Sequence, residues 1–117
     1  MIIYATKWYN KWIFAILPKD TIAVTIGIYI FSKFDYINQS TLDHEMVHVK
    51  QFKKDPWLFW VKYIFNRNCR LKYEIEAYKV QIISGFYSID VVVDYLSDNY
   101  WLNYSKDYIK NKILEIL

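Results

Sequence analysis

The chain has 117 residues, enough to bury one core and too few to divide into two. It is 55% hydrophobic and 21% aromatic, which excludes disorder. Net charge is only +3, and the two arginines among 15 basic residues argue against nucleic-acid recognition, where bidentate arginine is usual.

The opening Met1-Ile2-Ile3-Tyr4 lacks the basic start, continuous apolar run and small-residue cleavage site of a signal peptide. Ile2 to Thr6 and Trp12 to Leu17 are β-branched and aromatic and read as strands. Pro18-Lys19-Asp20 reads as a turn, and it breaks the apolar stretch from Trp12 to Phe31, so no membrane-spanning helix is expected. Thr21 to Ile26 and Ile28 to Phe31, around Gly27, read as a long bulged strand or a tight hairpin. Ser40-Thr41-Leu42-Asp43 reads as a capping box that opens a helix from about Thr41 to Lys54. Leu42, Met46, Val49 and Phe52 recur at helical spacing there and predict its buried stripe, with His44, His48 and Gln51 on the neighbouring one. The lysines at 50, 53 and 54 read as a solvated helix face.

Asp55-Pro56 ends that helix and starts the next, with Pro at the first helical position. Trp57 to Phe65 is almost wholly apolar, so this helix should be buried or lie on something greasy, and peripheral membrane contact stays open. Asn66-Arg67-Asn68 reads as a loop. A third helix should run from about Leu71 to Ser84 and stop at Gly85. Ser88 caps a fourth, Ile89 to about Tyr100, and Ser105 a fifth, Lys106 to Leu117. No repeat or linker is visible. The expected fold is α+β: one domain over residues 1–117, N-terminal antiparallel strands, then four to five helices.

The only two histidines stand in His44-Glu45-Met46-Val47-His48, an H-E-x-x-H pattern. Chance placement would give it on the order of once in 2,000 shuffles, so its context decides its meaning. The context is a predicted helix, where residues i and i+4 share a face. Two imidazoles so placed can bind one Zn²⁺, with Glu45 beside them to take a proton from an activated water. A catalytic zinc needs a third protein ligand. There is no third histidine, and the lone Cys69 is poorly placed and allows no intramolecular disulfide. A carboxylate must serve, and Tyr73-Glu74-Ile75-Glu76-Ala77-Tyr78 offers two on one helix. Gln51, one turn beyond His48, could support that histidine or touch substrate. Tyr78, one turn from Glu74, could stabilise an oxyanion.

The combination H-E-M-V-H-V-K-Q, an aromatic helix, then Y-E-I-E-A-Y resembles the small gluzincin-type zinc metallopeptidases. It is most similar to minimal zincin-like proteins of bacteria and bacteriophages with H-E-x-x-H-x-x-Q and a later E-x-E-A. The resemblance covers roughly Thr21 to Gln81. It implies Glu74 as third ligand, with Ala77 in the alanine place of the family motif and Tyr78 where many relatives have Asp. It also implies a zincin-like fold with a strand on the active-site rim, counterpart of Thr21 to Phe31, and hydrolysis of a peptide or protein substrate with Glu45 as base. The alternative expectation is a catalytically silent zincin-like protein, such as a phage virion component, with a structural zinc and an aromatic surface for a protein partner. Either reading expects a cytoplasmic or virion-associated protein.

Overall fold

A computed structural model describes residues 2–4, 12–15, 17 and 21–117. Three short strands, β1 (Ile2–Tyr4), β2 (Ala23–Ile26) and β3 (Tyr29–Ser32), form a sheet in the order β1-β3-β2. A single helical turn, α1 (Trp12–Ala15), lies between β1 and β2 in the chain. Five helices follow: α2 (Gln39–Lys54), α3 (Pro56–Phe65), α4 (Arg67–Ile83), α5 (Ile89–Asn99) and α6 (Lys106–Ile116). The architecture is α+β, as the sequence predicts.

The segment around Gly27 is the tight hairpin. Ile26 pairs with Tyr29 across the two-residue tip Gly27-Ile28, and Gly27 takes a φ of +65°, a conformation costly for any residue with a Cβ. Beyond that hairpin the N-terminal expectations need correcting. β1 joins β3 in parallel, so the sheet is mixed rather than antiparallel. Parallel neighbours need a long crossover, and the chain between β1 and β3 supplies one. The predicted strand over Trp12 to Leu17 is instead the helical turn α1 at residues 12–15. The predicted turn at residues 18–20 and the end of the first strand at residues 5 and 6 lie outside the described residues.

Helix α2 is central, in contact with β2 and β3 of the sheet and with α3 and α4. It starts at Gln39, because the Asn38 side chain accepts the Thr41 N–H at 2.8 Å, earlier than the capping box at Ser40 would allow. Its buried residues are Thr41, His44, Glu45, His48 and Val49. Met46, expected in the buried stripe, is 39% exposed: two positions from His44 it lies about 200° around the helix from that residue, which faces inward. The motif's own face is the inner one.

Asn66 replaces the expected loop. It ends α3 and caps α4, its side chain accepting the Cys69 N–H at 3.1 Å, so α4 begins a turn earlier than predicted. Both arginines then bind carbonyls. Arg70 donates to Tyr63 and Ile64 at the end of α3 and to Tyr100 and Trp101, and Arg67 donates to Leu102 and Asn103. The main core lies between α4, α5 and α6 and includes Leu71, Ile75, Tyr78, Val92, Leu96, Leu102, Ile109 and Ile113. Ser88 and Ser105 cap α5 and α6 as predicted, each accepting an N–H three residues on. No helix among the described residues is long and apolar enough to cross a membrane.

Candidate metal centre

Residues 44 and 48 are one helical turn apart on the inner face of α2, and α4 packs directly against that face. Packing brings Glu74, from the second turn of α4, to both histidines. Its Oε1 lies 3.2 Å from His48 Nε2 and 3.7 Å from His44 Nε2. One ligand atom from each of the three residues falls within 4.8 Å of the others, and all three side chains are buried. This group could hold a metal ion. Ala77, fully buried one turn beyond Glu74, carries only a methyl group and so allows close packing there.

Each imidazole is oriented from behind. His48 Nδ1 is 2.9 Å from Gln51 Oε1, and His44 Nδ1 is 3.0 Å from Gln81 Oε1. Gln51 cannot be turned around, because its Nε2 donates to Tyr73 O at 3.0 Å and to Glu76 Oε2 at 3.1 Å. Its Oε1 must therefore accept, Nδ1–H of His48 donates, and Nε2 faces Glu74. His44 Nδ1 faces Gln81 Oε1, so both Nε2 atoms are turned toward Glu74 Oε1.

The two carboxylates are also held. Tyr63 of α3 donates to Glu74 Oε2 at 2.5 Å, which leaves Oε1 for the histidine side. Thr25 of β2 donates to Glu45 Oε2 at 2.6 Å, fixing the motif glutamate from the sheet. Neither Tyr63, Gln81 nor Thr25 figures among the sequence-predicted site residues. Each carried a weak signal: a hydroxyl or amide within an otherwise apolar run, and for Gln81 a place two turns after Glu74 on the same face.

Electrostatics divides the histidines. Burial, reinforced by the neighbouring His48, pushes His44 down to about 3. Burial also pushes His48 down, but the charge and hydrogen bond of Glu74 outweigh it and hold His48 up at about 9. Burial raises Glu74 too, yet the histidines and the Tyr63 hydroxyl bring it below its usual range. Glu45 ends above the usual range, since burial exceeds the opposing pull of His48 and Thr25. A carboxylate shifted that way is a stronger proton acceptor than an ordinary one.

Gln51 and Tyr78 also stand at the site. Gln51 was expected to contact substrate or support His48; its carbonyl and both amide hydrogens are engaged within the protein, so it supports His48 and has no donor left for substrate. Tyr78 meets the site through its ring, 4.3 Å from the His44 ring centroid, while its hydroxyl pairs with that of Tyr100 at 2.7 Å. Glu76 points to Gln51 and lies outside the three-residue cluster.

A cavity of about 1040 Å³ opens beside these residues. His44, Glu45, His48 and Glu74 line it, together with β2 residues Ala23 to Ile26 and with Trp60, Tyr63, Tyr100 and Trp101. Comparison of the chain with models of protein families, with curated proteins and with solved structures gives no match.

Proposed function

We propose that the chain is a zinc-dependent peptide hydrolase of the small zincin-like type. The observation that carries this reading is the convergence of His44, His48 and Glu74 beside Glu45 at the wall of a large cavity. Two imidazole nitrogens and one carboxylate oxygen are a donor set that suits zinc, and the cavity side leaves room for water and substrate. Bound there, zinc would polarise the scissile carbonyl and make a water acidic enough to attack it.

The chain's own residues do the rest. Gln51 and Gln81, each facing an Nδ1, keep both Nε2 atoms aimed inward. Tyr63 holds Glu74 in a single orientation. Glu45, steadied by Thr25, accepts the proton of the attacking water and returns it to the leaving nitrogen as the C–N bond breaks. β2 is an edge strand of the sheet and lines the cavity, so an extended peptide can add to it by main-chain hydrogen bonds.

The test compares the parent protein with Glu45→Gln on a peptide library, with zinc added and with a chelator. Hydrolysis should occur in the zinc-loaded parent and vanish in the variant, while both keep stoichiometric zinc. Cleavage by Glu45→Gln at the parent rate would remove Glu45 as base. Zinc binding without cleavage by either protein would favour a structural or interaction role for the metal site.

A further inference from the structure

Helix α3 has two faces of opposite kind. Phe59, Trp60 and Tyr63 turn inward and line the cavity. The other face carries Trp57, Leu58, Val61, Ile64 and Phe65, all exposed, with Trp57 at 90% and Phe65 at 82%. At 100° per residue these five fall within one stripe, centred opposite the inward side chains. Trp101, 76% exposed at the cavity rim, lies near the end of this helix, because Arg70 binds the Ile64 and Trp101 carbonyls with one guanidinium. Trp101 sits at a φ of 51°, a strained conformation for so bulky a residue, and Arg70 holds it there.

Along the sequence, positive charge is concentrated in and beside this helix. Residues 53–72 contain six of the 15 basic residues, Lys53, Lys54, Lys62, Arg67, Arg70 and Lys72, and one of the 12 acidic residues, Asp55. The rest of the chain has nine basic residues against eleven acidic, so the whole positive excess belongs to α3 and its flanks. Lys53, Lys54, Arg67 and Lys72 are exposed.

We propose that this face docks on an anionic lipid bilayer, with α3 lying in the interface plane and Trp57 and Phe65 inserted among the headgroups. An aromatic-tipped apolar ridge with cations at both ends is the composition of an interfacial helix. A stable protein partner would engage about 20–30 residues on each side, more than a ten-residue ridge offers. A bilayer needs no complementary shape. Docking would hold the cavity, whose wall is the inner face of the same helix, beside the lipid surface. The proposal does not depend on the chain being a peptidase.

Co-sedimentation with vesicles tests it. The protein should pellet with a phosphatidylcholine–phosphatidylglycerol mixture, much less with phosphatidylcholine alone, and less again as salt rises. Each basic residue near an anionic surface is worth about fivefold in partitioning, so Lys53→Gln/Lys54→Gln should lose about 25-fold. Trp57→Ser/Phe65→Ser, at positions almost fully in water, should lose more than about tenfold. A quencher carried by the lipid should also dim the tryptophan emission of the unaltered protein, a reading that needs no variant. Failure of the parent protein to bind anionic vesicles would overturn the proposal. So would undiminished binding by the folded Trp57→Ser/Phe65→Ser variant, or a dimer that this variant dissolves while the parent ignores lipid.

Discussion

Tyr63→Phe is the most informative single change, because it removes one oxygen and leaves the packing intact. The ring stays against Phe59 and Trp60, with centroids at 5.8 and 6.3 Å. What disappears is the 2.5 Å bond to Glu74 Oε2, in a side chain only 2% exposed. A hydrogen bond to a charged group contributes about 1.5–3 kcal/mol, and a buried oxygen that loses its donor bears its desolvation cost. Some of that loss falls on the folded state as such. The part that falls on metal binding should be about 10- to 100-fold, the usual cost of losing a group that orients a ligand. Competition with a coloured chelator measures it directly. The Co²⁺ absorption spectrum should change as well, because Glu74 becomes free to rotate and offer either oxygen. An affinity within threefold of the parent, with an unchanged spectrum, would refute the claim that Tyr63 orients Glu74.

Glu74→Ala should weaken metal binding far more than Glu76→Ala. Glu74 presents Oε1 to both histidines, whereas Glu76 acts only through Gln51 and His48; equal losses in the chelator assay would remove Glu74 from the ligand set. Metal affinity should rise about tenfold per pH unit between roughly pH 6.5 and 8 and level off above about pH 9. In that range one imidazole proton, on His48, must leave for the ion to bind, while His44 is already neutral; a slope of zero or of two protons would contradict this division. The metal-free protein should lose stability on acidification below about pH 6.5, where the unfolded chain binds protons that the native His44 and, at lower pH, Glu74 resist. His48 acts in the opposite sense: its contribution is complete below its unfolded value and is lost as pH rises through about 9. A urea midpoint that climbs steadily toward low pH would exclude this reading.

Features written in short-range chemistry were legible in the sequence. The caps at Ser88 and Ser105, the Asp55-Pro56 junction and the hairpin at Gly27 each depend on residues within four positions of one another. So does the pairing of His44 with His48 on one helix face. What the sequence concealed is the partner from a distant element. Tyr63 is 11 residues from Glu74, Thr25 is 20 from Glu45 and Gln81 is 37 from His44. The parallel pairing of β1 with β3 is of the same kind. Periodicity misled at Met46, because the α2 face that turns inward is chosen by the polar cluster and not by the apolar stripe. At α3 the apolar run left two readings open, buried or lying on something greasy, and one of its faces stands exposed.

The polar groups behind the site bear on what the buried cluster needs. Its orienting partners, Gln51, Gln81, Thr25 and Tyr63, are all uncharged. Both arginines are bound to backbone carbonyls elsewhere. Among the described residues no lysine or arginine pairs with Glu45 or Glu74; His48 and His44 are the basic groups within reach of Glu74. The cluster thus sets two buried carboxylates against two imidazoles, of which only His48 holds a proton readily. One imidazolium can balance one carboxylate, and the buried remainder is costly. A divalent cation would balance both carboxylates with both imidazoles neutral. The electrostatics of folding and the donor set of a metal site therefore ask for the same ion, and binding it should raise the melting temperature as well as organise the cavity wall.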